Sequence, residues 1–385
     1  MPDSSDHFPS QRAAAGQRLS AAIGIARVMC LLGIVYVHAW TGLGGSALTA
    51  LNDTAQGMMR WALMDLLGRS AVPLLGMISG WLVAGSLRRR PWRALMTGKM
   101  RTILAPMILW NALAILLVSG AAAAGWIKAP MPTTWRWTID ELFCLFTPDD
   151  INVQMSFLRD LFICMAAAPL IIRLPGPALL LVVAGALCWT ITGFAFPLLL
   201  RPAILLFFLV GIIARRADAA ERMGATPILY VALPYVALAL MKIWFETLGG
   251  GYAAAHPLAD MTLDVAMRFV TALFFWAIAW RLAASKAAAP ILRVEPYVFL
   301  MFCSHLIMIW LGGPLIGRLT GPMGSPFYPF FLIVQPGLVL LAALGLGGML
   351  MRLSPTAALL LSGGRLRAAD NGQAAPIMVA MPRRH

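Results

Sequence analysis

The sequence predicts an all-α integral membrane protein, a bundle of about ten transmembrane helices with both termini in the cytoplasm. Three observations predict it. The 385 residues are 60% hydrophobic and 12% charged, with a mean hydropathy of +0.80. Soluble domains carry about a quarter charged residues, so lipid must cover most of this surface. Apolar runs near the roughly 20 residues that span a hydrocarbon core recur along the whole chain. Basic residues then gather between alternate runs, as the positive-inside bias requires.

Taken in order, residues 1–18 are polar and predict a disordered cytoplasmic arm. The apolar run 19–40 is longer than the core of a secretory signal and no small-residue cleavage site follows it, so it reads as an uncleaved first span. Further spans are predicted over 66–87, 102–124, 151–172, 177–196, 198–214, 227–246, 263–282, 295–316 and 328–351, which makes 19–351 one membrane domain. Pro73, Pro106, Pro169, Pro234 and Pro336 fall inside spans; membrane bundles tolerate them because neighbouring helices re-satisfy the freed carbonyls. Residues 352–385 predict a basic, disordered cytoplasmic tail.

The formal charge of +14 suggests nucleic acid until the charges are placed. Most of the 30 basic residues fall in segments on one side: Arg12 and Arg18, then Arg88 to Arg90, Arg93, Lys99 and Arg101, then Arg215, Arg216 and Arg222, then Lys286 and Arg293, and the tail with Arg365, Arg367, Arg383 and Arg384. Topology accounts for them, and no nucleic-acid partner is needed. The longest outer loop, 125–150, carries Trp126, Trp135, Trp137, Asp140, Glu141, Asp149 and Asp150. Such tryptophans form interfacial belts and can also stack on sugars. A second outer loop, 247–262, holds Gly249 to Gly251 and His256. Cys30, Cys144, Cys164, Cys188 and Cys303 form no CxxC pair, so neither a disulfide framework nor a metal site is expected.

Ionisable groups within spans are functional candidates by default. The first span carries Arg27 and His38, eleven residues apart. Eleven steps of helix bring both to within about 20° of one face, offset by about 16 Å along the axis. One polar stripe is therefore expected to cross much of the bilayer, with Arg27 towards the cytoplasm and His38 towards the outer side.

An Arg-x10-His pair in the first membrane helix resembles the signature of acyltransferase family 3, the polytopic membrane O-acyltransferases. Four further segments resemble that family in order: RSAVPLLGMISGWL (69–82), KMRTILAPMILWN (99–111), FLRDLFICMAAAPL (157–170) and YVFLMFCSHL (297–306). Ser156 is a departure, since many members carry tryptophan there. The resemblance implies transfer of an acyl group, commonly acetyl from acetyl-CoA as co-substrate, to a hydroxyl of an exopolysaccharide or envelope glycan at a bacterial inner membrane. No tightly bound cofactor is implied.

Within that reading each residue has an expected role. His38 is the general base, because an imidazole titrates near neutral pH and a sugar hydroxyl needs its proton removed. His305 binds the acceptor, relays a proton or orients His38. Arg27 grips the coenzyme, and Arg90, Arg93 and Arg101 meet its phosphates with forked donors. Arg69, Ser79, Arg159 and Asp160 shape the pocket. Arg159 and Asp160 are adjacent and cannot share a helix face, so each needs a partner elsewhere. Lys242 with Glu246 and Asp264 with Arg268 read as local i,i+4 ion pairs. GMISG at 76–80 is no nucleophile elbow, and TGLGGS at 41–46 has no strand before it. Two other classes also suit ten helices with a polar stripe: a glycan or lipid-linked sugar flippase, whose mark of related halves is missing, and a non-catalytic subunit of a polysaccharide synthase or export complex.

Overall fold

The computed structural model describes residues 7–148, 150–248 and 251–366. Asp149, Gly249, Gly250, Arg367, Arg383, Arg384 and the side chain of Arg12 lie outside the described residues. Every regular element among the described residues is helical; besides two single turns at Gly45–Thr49 and Tyr252–Ala255 they are α1 His7–Val37, α2 Ala55–Leu87, α3 Trp92–Ala123, α4 Trp135–Phe143, α5 Met155–Arg173, α6 Gly176–Thr192, α7 Pro202–Arg216, α8 Ala219–Ala225, α9 Ile228–Glu246, α10 Pro257–Leu282, α11 Ala288–Thr320, α12 Tyr328–Leu353 and α13 Pro355–Leu361.

Among the described residues, 8 of these helices (α1, α2, α3, α5, α9, α10, α11 and α12) are long and apolar enough to cross a membrane. The spans expected over 177–196 and 198–214 are shorter helices, α6 with 17 residues and α7 with 15. The backbone explains the shortening. Gly193 takes a left-handed conformation at φ +63 that caps α6. Pro197 and Pro202 have no N–H to donate. Residues 193–201 therefore leave the helix and cross the bundle as a loop.

Both ends of the chain are more ordered than the composition predicts. α1 begins at His7, so residues 7–18 are helical and not a disordered arm. Arg18 holds it: the guanidinium lies 4.5 Å from the Trp280 ring centroid and donates twice to the Trp280 carbonyl, at 3.1 and 3.3 Å. The tail stays docked through residue 366. Ser354 Oγ caps α13 by accepting the Ala357 N–H, and Trp110 Nε1 donates to the Leu361 carbonyl at 3.0 Å. Gly363 then turns against α3, where a Cβ would come within 2.4 Å of the Thr102 carbonyl. Pro106 cannot donate to that carbonyl, four residues earlier on the same helix.

α1 is the central post, packed by α2, α10, α11 and α12. Ala22, Ile25, Ala26, Cys30 and Val35 are buried along it. α9 is peripheral and shows Leu229, Tyr230 and Leu233 outward, as a lipid-facing helix should. The closest crossing joins α2 to α7. A Cβ on Gly80 would sit 2.0 Å from the Phe208 carbonyl oxygen, and one on Gly211 2.0 Å from that of Met77. Small residues let two membrane helices touch backbone to backbone. Several basic residues finish helix ends: Arg216 donates to the carbonyls of Ile172 and Leu174, and Arg281 to those of Gly224 and Thr226. None of the five cysteines forms a disulfide, and only Cys188 is exposed.

Gly80→Ala and Gly211→Ala should each destabilise the bundle by about 1–3 kcal/mol or more, as overpacking does. Gly345→Ala, with open space around the new methyl group, should be silent. Thermal midpoints in detergent, read by fluorescence-detected size exclusion, check the contrast.

Candidate active site

His38 closes α1 in a tight turn, its N–H donating to the Val35 carbonyl at 3.2 Å. The imidazole stands at the wall of a cavity of about 810 Å³, a size that suits a small-molecule site. α2 supplies Arg69, Val72, Pro73 and Gly76 from one helical face. Arg69 ends a stretch of wide π-type turns over Ala62–Arg69, and Pro73 cannot donate to its carbonyl. Such local widening often marks functional positions. α7 adds Ile204 and Phe207, α10 adds Arg268, and α11 adds Phe302. The remaining wall comes from the start of α5 and from the 193–201 loop, which carries Arg201.

His305 lies behind His38, ring centroid to ring centroid 5.4 Å. It is fully buried, and its Nδ1 sits 2.8 Å from the Phe302 carbonyl. A carbonyl only accepts, so Nδ1 carries the hydrogen and Nε2 is the basic nitrogen. That Nε2 is buried with no hydrogen-bond partner among the described residues. His305 is not on the cavity wall; it backs the residue that is.

Gln154 is a wall residue that the sequence reading missed. Its amide nitrogen donates to the Phe302 carbonyl and to Asn152 Oδ1, each at 3.4 Å, while its buried oxygen has no partner among the described residues. A neutral amide beside a helix start gives no signal in a sequence. Its surroundings explain its place. Glu141 on α4 accepts the N–H groups of Asp150 and Ile151, each at 2.8 Å, and Asn152 bonds Asn111 and the Trp110 carbonyl. Burial pushes the Glu141 carboxyl up, and those two N–H groups pull it back.

Arg159 and Asp160 hold the opposite wall. Asp160 is fully buried and accepts the backbone N–H of Arg201 at 2.7 Å. Its other oxygen accepts from Arg159 Nη1 at 2.7 Å. Each therefore has the partner elsewhere that the sequence predicts, Asp160 in Arg201 and Arg159 in the Pro197 carbonyl, and the two also bond each other. The long arginine stem folds back over its neighbour, which a lattice of helix faces does not allow for. Arg159 also donates to the carbonyls of Leu145, Pro197 and Leu198 at 3.0–3.1 Å. Neither residue is on the cavity wall; both pin the loop that is. Ser79, also expected in the pocket, lies one turn beyond Gly76 and off the wall.

The expected pairs Lys242 with Glu246 and Asp264 with Arg268 both form. They also fuse, because Lys242 Nζ reaches Asp264 at 2.9 Å and Trp61 Nε1 donates to Glu246 at 2.6 Å. The network ties α2, α9 and α10 together and presents Arg268 to the cavity. Arg69 pairs with Asp65 at 3.0 Å. The charges of Arg201, Arg268 and Arg69 act on one another, with the Asp160 carboxylate beside them. These groups share one electrostatic neighbourhood.

Arg27 is elsewhere. It pairs with Glu295 at 3.2 Å, and the cavity follows α1 only as far as Ile34. The buried side chains of Cys30 and Leu31 lie between. The polar stripe is therefore two sites on one helix and not one open channel. The charges of Lys99 and Arg365 act on each other and on that of Arg27, and Arg365 lies over Phe299 at 3.8 Å. Arg365 falls in the segment expected to be disordered, which hid it. Arg90, Arg93 and Arg101 are exposed. No group of His, Cys, Asp or Glu among the described residues could hold a metal ion.

Comparison with known proteins shows the family. Residues 20–350 match the family described as "Acyltransferase domain". Over 372 residues the chain is 26% identical to the succinoglycan biosynthesis protein ExoH of Rhizobium meliloti (strain 1021), covering 90% of this chain and 93% of that one. No solved structure matches.

Removing one partner from a buried ion pair costs about 3–5 kcal/mol. Asp160→Ala should therefore lower the thermal midpoint strongly and open the 193–201 loop to limited proteolysis. Arg69→Gln breaks a half-exposed pair and should cost about 0–1 kcal/mol. Equal midpoints for the two variants would contradict the clamp.

Proposed function

From the premise that this chain belongs to the acyltransferase domain family and is a multi-pass membrane protein, we propose that it moves an acyl group from acyl-coenzyme A to a hydroxyl of an exopolysaccharide, with His38 as general base. One observation carries the reading: a cavity of ligand size whose wall holds an imidazole backed by a second imidazole, whose Nε2 has no hydrogen-bond partner among the described residues. The name of the relative, a succinoglycan biosynthesis protein, favours an exopolysaccharide as acceptor.

The steps follow from the residues. The acceptor hydroxyl enters the cavity and meets His38. As its oxygen attacks the thioester carbonyl, His38 takes the proton. The tetrahedral intermediate collapses, the carbon–sulfur bond breaks, and the proton passes from His38 to the leaving thiolate. His305, with Nδ1–H spent on the Phe302 carbonyl, offers Nε2 to an N–H of His38. That would turn the other His38 nitrogen towards substrate and makes His305 a positioning residue. Arg27, with Lys99 nearby and Arg90, Arg93 and Arg101 exposed, would receive the coenzyme phosphates from the cytoplasm. The bacterial inner membrane is the site this implies, with both termini cytoplasmic, the acceptor arriving from the other face and a polysaccharide synthase complex as neighbour. Acetyl is the simplest acyl group for this chemistry.

The test uses full-length protein in nanodiscs with labelled acyl-CoA and surface polysaccharide. General base catalysis contributes about 100-fold or more, so His38→Ala should lose at least that. Turnover equal to wild type would remove His38 from the reaction. His305→Phe should slow transfer and also displace the acidic limb of kcat/KM against pH, which a purely structural role would leave in place. Ester analysis of surface glycan with and without the gene should show the acyl group only in its presence.

A further inference from the structure

Three arginines, Arg69, Arg201 and Arg268, line the cavity beside His38, and among the described residues no acidic side chain does. The acids nearby hold the arginines from behind. Asp65 takes Arg69, Asp264 takes Arg268, and Asp160 takes the backbone and not the guanidinium of Arg201. Among the described residues no carboxylate pairs with the Arg201 guanidinium. Its Nη2 donates to the Val153 carbonyl at 3.0 Å, which uses one of the N–H donors in a five-donor fork. Arg268 adds a buried Nε with no partner among the described residues. A guanidinium fork that keeps unused donors at a cavity wall matches the two oxygens of a carboxylate.

We propose that the cavity binds a carboxylate-bearing part of the substrate, gripped by Arg201 with Arg268 and Arg69, and so selects for an anionic reactant. This deepens the acyl-transfer reading and rests on it. Coenzyme phosphates are a poor candidate for these arginines, because Arg27 and its cationic neighbours lie about 16 Å further along α1. What meets at His38 is the acyl carbon and the acceptor hydroxyl. The carboxylate belongs to one of them: a dicarboxylic acyl group in place of acetyl, or an acidic residue of the glycan.

Two arms separate the sources, both run on full-length protein in nanodiscs. In the first, the donors are succinyl-CoA and its uncharged methyl ester, with a neutral acceptor. In the second, the donor is acetyl-CoA and the acceptors are a uronic-acid oligosaccharide and its methyl ester. A charge-assisted hydrogen bond gives about tenfold discrimination or more. In one arm the charged reactant should win by at least that factor in kcat/KM, and Arg201→Gln should bring the ratio to within about threefold of one. Arg201→Lys, which keeps the charge and loses the fork, should retain part of the preference. The wild-type ratios decide even if a variant folds poorly: ratios near one in both arms overturn the proposal. Equilibrium binding of the same four compounds is measured in parallel. Preferential binding of a charged compound without any transfer would speak against acyl transfer and not against the anion site. Equal binding with normal transfer would do the reverse.

Discussion

The buried carboxylate of Asp160 is the contact on which the rest of the site depends. It takes a main-chain N–H from one side and a guanidinium from the other. Residues 193–201 have neither a helix nor a ladder to satisfy their backbone, so the polar groups buried there need side-chain partners. Arg159 answers with donors to the Pro197 and Leu198 carbonyls, and Asp160 answers with an acceptor for Arg201. Without that exchange the loop would have no fixed path, and the cavity would lose a wall.

The same logic governs the charges around the cavity. A cation inside an apolar bundle needs an anion or a wet face. Here the anions sit behind the cations, on α2 and on α10, so the guanidiniums are oriented without being covered. Lys242 and Glu246 extend the network to the lipid-facing helix α9, which explains how a peripheral helix is tied to the site. His305 is held in the same way, by a carbonyl on its own helix, and this fixes which nitrogen stays free.

Much of this was legible in the residues. Arg27 and His38 announce themselves because a charge in a span is expensive, and helical arithmetic puts both on one face. The outline of most helices follows from hydropathy alone. The i,i+4 pairs on α9 and α10 were predictable because they are local. Legibility failed where the partner is distant in the chain. Glu295 as the mate of Arg27, Arg201 as the mate of Asp160, and Gln154 beside Phe302 are set by packing. Arg159 and Asp160 each find the distant partners expected of them, and the bond between the two was hidden for another reason: face geometry treats side chains as rigid spokes, and arginine bends.

By itself the sequence determined an apolar, helical chain, the spacing of the Arg27 guanidinium and the His38 imidazole along the first span, and the family they resemble. These are properties of composition and of one-dimensional period, fixed before any helix meets another. Only the tertiary structure decided that the cavity reaches His38 and not Arg27, that the tail returns to place Arg365 over Phe299, and that three arginines from three separate elements face one cavity with no acid among its described wall residues. Those outcomes depend on which helices touch, and contact between distant segments is a property of the folded bundle.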